Sequence, residues 1–549
     1  MVGKRVGASD RRGLRRRSLL AGAGVVGVGA VAGCITPTDE VAADTPAEEL
    51  IREGFDATGT DPPFETSIVL ADDEEWSQLA QLFRAELEAT GFFDVTVDAR
   101  EFGSYLQLLN DAAADETNAM FVASWTGGWD PDDYVNALFH SDNHTPDGNN
   151  IVHYANDRVD DRIDAGLAET DRDERIEIYR ELQRTLVAES PASFVRFREA
   201  AHVWNDDAVT DWRTYPLRPG SYYAIYAPWA GVYTDLEDGD EFVGDLGADV
   251  TATDPVEMTD TVSSQATSLI YEPLVGIDFE GDARPVLADD WTRLDPTTYR
   301  FSLRDGVRFH NGEELTADHV VRSLERYEGT PRESDVYAWY EDGEVVDDGT
   351  VEIECRREYG PLEESLFSVP IVPMAAVEGR HDLSSEPIGT GPYRFADHKP
   401  ADRWRVERFE DHWFGGDDAV PATPPIETVT LEVVAERASR QAALERGDID
   451  FSYNVPSAGL AAFEADDAYG VDRRISGGFD AVFYPCYREP FSDERVRRGC
   501  NAVLPREEIL ETVYHGNGRV AYTPISPLLE EYAAPSFQEA TADEYVRLN

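Results

Sequence analysis

Hydrophobic and polar positions along the chain switch repeatedly between a period of two and a period near 3.6, which predicts strands alternating with helices. Thr66 to Ala71 (TSIVLA) is a short β-rich run. Asp72 and Glu75 then offer a capping box, and Trp76, Leu79, Ala80, Phe83 and Leu87 recur at helical spacing until Gly91. Phe93, Val95, Val97 and Ala99 alternate as a strand, Tyr105 to Ala114 reads as a second helix, and Ala119 to Ser124 as a buried strand. This β-α-β order predicts an α/β lobe. A further helix is expected over Arg172 to Glu189, with Asp171 and Glu174 as its capping box and Ile178, Tyr179, Leu182 and Leu186 facing inward.

Periodicity fades over Gly231 to Asp254, a stretch rich in Gly and Asp that reads as a linker. Beyond it Tyr299, Phe301 and Leu303 alternate, Asp305-Gly306 turns the chain, and Val307 and Phe309 alternate again, predicting a hairpin. Thr316 caps a helix carrying Val320, Val321, Leu324 and Tyr327, and Thr428 to Val434 reads as a strand.

The 549 residues are enough for two or three domains. With 42% hydrophobic residues the chain can build a large core, so its polarity, a mean hydropathy of −0.43, must sit on the surface. The formal charge is −61, so the folded body repels polyphosphates and nucleic acid is close to excluded as a partner. Lys4 and Lys399 are the only lysines, so 46 of the 48 basic residues are arginine. Self-repulsion on this scale is tolerable where concentrated salt screens it within a few ångströms, which points to a salt-adapted organism.

Leu19 to Cys34 is apolar but, at 16 residues, falls short of the roughly 20 that span a membrane. It reads as a signal sequence: Arg15-Arg16-Arg17-Ser18-Leu19-Leu20 resembles a twin-arginine export signal, with Arg16 and Arg17 as the pair, and Val31-Ala32-Gly33-Cys34 resembles a lipoprotein cleavage box. The expected product is an exported protein lipid-anchored at Cys34 on the outer membrane face, with residues 35–45 as a polar tether.

No G-x-S-x-G, H-E-x-x-H, P-loop or dinucleotide fingerprint occurs, so the usual marks of hydrolases, zinc proteases and nucleotide enzymes are missing, and no cofactor is expected. His140 and His144 are four apart but in a loop-like stretch. Asp130, Asp132 and Asp133 could bind calcium, yet in so acidic a chain a solvated surface is the plainer reading, and no metal is expected. Cys355, Cys486 and Cys500 read as buried hydrophobes, with a Cys486 to Cys500 disulfide as the alternative.

The segments LIYEPLVGID (269–278), PVLADDW (285–291), TYRFSLRDGVRFHNGEELTADHVVRSLERY (298–327), EPIGTGPYRF (386–395), ERASRQAALERGDIDF (436–451) and PFSDERVRRGCNAVLPREEIL (490–510) resemble family 5 extracellular solute-binding proteins, the dipeptide, oligopeptide and nickel receptors of ABC importers. Upstream, WTGGWDPDDY (125–134) and the helical stretch 154–192 resemble the carboxy-terminal part of the same family. In that family YEPL comes first and W…DP last, so this chain looks circularly permuted, a cheap change where old termini meet at the surface. The resemblance implies a two-lobed α/β periplasmic-binding-protein-like fold (class II, with an extra subdomain). The expected division is a signal at 1–34, a tether at 35–45, one lobe from 46–190 plus 476–549, a return segment at 191–230, a joint between the old ends at 231–254, and the other lobe with its subdomain at 255–475.

By the same resemblance the chain is a monomeric, non-enzymatic receptor that closes on a peptide or related solute and delivers it to a permease and ATPase. Ser263 and Ser264, Gly477 to Asp480 (Gly477, Gly478, Phe479, Asp480) and Trp125 to Asp130 (notably Trp125, Gly128, Trp129, Asp130) match ligand-facing segments. For Trp125 and Trp129 core packing is an equal alternative. Peptide receptors of the family commonly carry W-x-x-D, whose Asp pairs with the ligand's amino group; here the fourth position is Gly128, with Asp130 as a substitute if the loop shifts. Where the family often has an aromatic-Asn pair, this chain has Tyr484-Pro485-Cys486 before Pro490-Phe491. The alternatives are a solute sensor using the same cleft, and an exported enzyme on the same scaffold.

Overall fold

The alternation Phe93, Val95, Val97 becomes the strand Phe93–Arg100, which runs parallel to Phe64–Ala71, itself parallel to Met120–Thr126. The computed structural model describes residues 46–111, 117–210, 212–217, 220–453 and 455–548. The signal, the tether and the residues Arg16, Arg17 and Cys34 lie outside them. Of the helix expected over Tyr105 to Ala114, Phe102–Asp111 is seen. The helix Glu74–Ala89 is capped one residue later than the sequence suggests: Asp73 is extended, and its carboxylate accepts from the Trp76 N–H at 2.9 Å. Asp171 caps Arg172–Glu189 by accepting from Glu174 N–H, while Ile176, two residues before Ile178, is the buried isoleucine and Ile178 is only half-buried.

One seven-stranded sheet orders its strands Phe93–Arg100, Phe64–Ala71, Met120–Thr126, Tyr469–Phe483, Ala192–Asn205 and Phe451–Ser452, with Arg519–Val520 also paired to Ala192–Asn205. The first three are parallel and the remaining pairings antiparallel. Two four-stranded sheets come from the middle of the chain: one from Tyr393–Lys399, Arg403–Arg408, Thr428–Val433 and Glu241–Leu246, the other from Ala288–Arg293, Thr298–Leu303, Thr350–Cys355 and Tyr340–Asp347.

Two expectations are corrected here. The segment 231–254 is not a featureless linker, since Glu241–Leu246 pairs in parallel with Thr428–Val433 and buries Phe242 and Leu246 completely. Its alternation was masked because Gly244 lies under the Tyr222 hydroxyl and the buried Asp245 accepts from Ser452 Oγ at 2.8 Å. The hairpin at Asp305-Gly306 does not form either. Both edges of Thr298–Leu303 are taken, by Ala288–Arg293 and Thr350–Cys355, and Val307 to Phe309 instead closes a tight local loop through Arg308 and Glu314.

The apolar interior falls into distinct clusters. A large one is drawn from residues 204–453, whereas another combines Ile51, Phe55, Phe83 and Met120 with Phe491, Val496 and Tyr514. In the latter, helix Ala47–Thr58 crosses helix Glu494–Val503 so closely that a Cβ on Gly54 would strike Val496, and one on Gly499 would come within 2.6 Å of Ile51. The long strands Ala192–Asn205 and Tyr469–Phe483 run side by side through these regions, and their register shifts between Ile475 and Phe479. That break lies beside a cavity of about 760 Å³.

Candidate functional site

At the register break Ser476, Gly477 and Gly478 leave the ladder with Ala192–Asn205. Gly127 N–H donates to Gly477 O at 2.9 Å, and the carbonyl of Gly127 occupies the place a Cβ at 477 would need. This close backbone approach requires glycine. It shapes one wall of a cavity of about 760 Å³, whose other walls include Glu75, Arg198, Thr261, Arg437 and Tyr453.

Charge in this cavity is organised from behind. Asp480, wholly buried, accepts from Arg196 Nε at 2.7 Å and from Arg198 Nε at 3.1 Å. Burial alone would raise the Asp480 pKa, but Arg198 and Arg196 outweigh it and hold the carboxyl below its ordinary value. Arg196 also donates to Asn517 O, lies over the Tyr514 ring at 3.3 Å and reaches Glu75 at 3.8 Å. Glu75 is shifted the other way, raised by burial against the opposing pull of Arg196.

A second cavity, of about 450 Å³, shares Gly128 and Leu217 with the first. Its walls carry Trp129, Asp130, Asp132, Asp133, Ser264 and Glu364 among others. Asp130 is spent on Arg175, which donates to it at 2.7 Å, and on Asp132 N–H at 2.8 Å. Desolvation first, then the neighbouring carboxylates, push Asp132 up to about 6 and Asp133 up to about 7; desolvation and Asp130 push Glu364 up to about 8.

The residues singled out from sequence therefore divide. Gly477 and Gly478 line the first cavity, Ser264, Trp129 and Asp130 the second, and Gly128 both. Trp129 combines the two readings it was given, since its indole is buried and donates to Tyr215 OH at 2.7 Å. Trp125 borders a shallower recess and donates to Asp133 O at 2.6 Å. Three residues stand behind the walls: Phe479 packs edge-on against Phe194 in the core, Asp480 faces its two arginines, and Ser263 Oγ accepts from the Thr251 and Ala252 N–H groups. Sequence reasoning missed Arg196 and Arg198, although two arginines spaced by two on one strand carry the signal of a shared face. Among the described residues no group of His, Cys, Asp and Glu is arranged to hold a metal ion, and Cys355, Cys486 and Cys500 are free thiols.

Residues 282–546 match the family described as bacterial extracellular solute-binding proteins, family 5 Middle. The chain is 28% identical over 311 residues to an oligopeptide-binding protein of Bacillus subtilis, a match covering 54% of this chain and 55% of that one. It is 26% identical over 287 residues to a glutathione-binding protein of Pectobacterium atrosepticum, covering 51% and 55%. A Helicobacter pylori ABC transporter-associated periplasmic binding protein, solved with a peptide, aligns at 24% identity and a TM-score of 0.38, over 41% of this chain and 49% of that one. The chain thus spans about half the length of the curated relatives it matches. Over residues 282–546 this chain carries the sequence pattern of the family 5 extracellular solute-binding proteins.

Proposed function

We propose that the protein is the solute receptor of an ABC importer, capturing a peptide or related small solute in the first cavity and delivering it to a membrane permease and its ATPase. The observation that carries this reading is the cavity of about 760 Å³ beside the register break of two long strands, with Arg198 held in place by Asp480 and Arg437 on another wall. A ligand that touches opposite walls favours a closed form by its differential contacts alone, so capture needs no catalytic group.

Two features support a permuted order, with 46–190 and 476–549 in one lobe and 255–475 in the other. Strand Tyr469–Phe483 inserts between Met120–Thr126 and Ala192–Asn205, and helix Ala47–Thr58 packs on Glu494–Val503. A linear alignment to unpermuted relatives would also recover only part of each chain, as the matches do. Twin-arginine export, lipid attachment at Cys34 and life in concentrated salt complete the reading. Among the described residues no helix is long and apolar enough to cross a membrane.

Native mass spectrometry of the purified protein against pools of di- and oligopeptides, nickel chelates and oligosaccharides tests it. One ligand per chain from one pool is expected, and no adduct from any pool contradicts it.

A further inference from the structure

The second cavity has a composition unlike the first. The carboxylates that line it are Asp130, Asp132, Asp133, Asp335 and Glu364, and Arg332 lines it too, while Arg175 stands behind Asp130. Arg175 is matched by Asp130 at 2.7 Å and Arg332 by Asp335 at 2.8 Å; among the described residues Asp132, Asp133 and Glu364 form no ion pair, although Arg175 acts on Asp132 and Glu364 from further off. Asp132 accepts from Asn136 Nδ2 and Tyr179 OH, and Asp133 accepts from Gly128 N–H. Glu364, half-buried on the cavity wall, meets no side-chain donor among the described residues. Asp133 is exposed and Asp132 and Glu364 are half-buried, so these carboxyl groups crowd a partly open recess in which their ionised forms repel one another.

The apolar part of the wall is aromatic, and the polar tips of its rings are already engaged. Trp129 Nε1 donates to Tyr215 OH, Trp339 Nε1 to Asp335 O, Tyr271 OH to Thr253 O, and Tyr359 OH pairs with Ser365 Oγ. What they offer a ligand is ring surface, joined by Phe367. Ring faces and unmatched carboxylates in one partly open recess suit a single kind of guest, a soft cation with an apolar body. A hydrated metal ion would find no built ligand set among the described residues.

We infer that the second cavity binds an organic monocation, an ammonium or guanidinium on an aliphatic stem, with Glu364 and Asp133 as counter-charges and the rings of Trp129, Trp339 and Tyr359 as its walls. The inference rests on the proposed receptor function and deepens it: because the two cavities share Gly128 and Leu217, one ligand can place its body in the first and a basic side chain in the second. A free small cation has the same chemistry. Desolvation first, and then the neighbouring carboxylates, raise the Asp132, Asp133 and Glu364 pKa values, and a cationic guest offsets both.

The test is calorimetric titration of the purified protein in concentrated salt, which screens general attraction to the acidic surface. Two charge pairs are compared: the peptide Ala-Arg-Ala with its citrulline analogue, and choline with its neutral isostere 3,3-dimethylbutan-1-ol. The cationic member of at least one pair is expected to bind about tenfold more tightly than its neutral partner. Glu364→Gln is expected to abolish most of that preference while leaving the neutral partner unchanged. Preference in the peptide pair alone assigns the cation to a side chain of a larger solute; preference in the choline pair shows that a free cation suffices. Equal binding within both pairs overturns the inference even if peptides bind, in which case the receptor function stands. No binding of any cationic probe also overturns it, and the peptide, chelate and sugar pools then decide the receptor function separately.

Discussion

Gly128 and Asp133 occupy the same corner of the protein: Gly128 N–H donates to Asp133 Oδ2 at 3.0 Å, and a Cβ on residue 128 would stand 2.7 Å from that oxygen. A side chain at 128 and the observed carboxylate position exclude one another. Gly128→Ala should therefore displace the Asp133 carboxylate from the junction of the two cavities. Because that oxygen is the far end of an exposed side chain, the expected stability cost is small, within about 1 kcal/mol, and the main effect is weaker binding of any cationic ligand. Chemical denaturation and calorimetry on the same variant check both parts.

Asp480 is the counter-charge for Arg196 and Arg198, so Asp480→Asn leaves Arg198 uncompensated beside a cavity and Arg196 with only the more distant Glu75, at 3.8 Å. A loss of about 3–5 kcal/mol is expected at neutral pH. The folded-state pKa of Asp480 lies below the ordinary 3.8, so its stabilisation is complete above that value and is lost as pH falls through the folded pKa. Wild-type stability should thus decline steeply below about pH 4, and the variant, already deprived of the interaction, should decline less over that window.

Glu364 predicts the opposite slope. Its folded pKa is raised from 4.5 to about 8, so the folded state holds a proton that the unfolded state has released, and stability falls as pH rises between those values. In the absence of ligand, Glu364→Gln should match the wild type near pH 4 and exceed it above pH 8. The gain is expected to be of the order of 1 kcal/mol. Denaturant titrations at the two pH values provide the comparison.

The crossing of helices Ala47–Thr58 and Glu494–Val503 brings together segments far apart in sequence through two glycines. Gly54→Val should force the helices apart and cost about 1–3 kcal/mol or more. A nearly unchanged unfolding midpoint would show that the first helix does not dock as described.

What the sequence made legible was local. The cap at Asp171, the alternation from Phe93 and the helix after Thr316 each depend on residues a few positions apart, and the structure contains all three. Glu241–Leu246 escaped because its partner strand, Thr428–Val433, lies far along the chain and because Gly244 and Asp245 interrupt its apolar alternation. The same limit applies at the cavities. The segments Gly477 to Asp480 and Trp125 to Asp130 do reach them, but which side chain faces inward depends on the register break and on pairs such as Arg196 with Asp480, 284 residues apart. Glu364 carried no sequence signal at all, being one carboxylate among 109.

Thermal unfolding of the protein in concentrated salt, with and without each ligand pool, tests most directly the claim that the cavity beside Gly477 captures a solute. A ligand that binds only the folded state at about 100-fold excess over Kd adds ~2.7 kcal/mol, a plain rise in the midpoint. The account predicts that rise for one pool, with peptides foremost, and its loss when Gly478→Trp fills the cavity from the strand. A cooperative transition that no pool moves would contradict it.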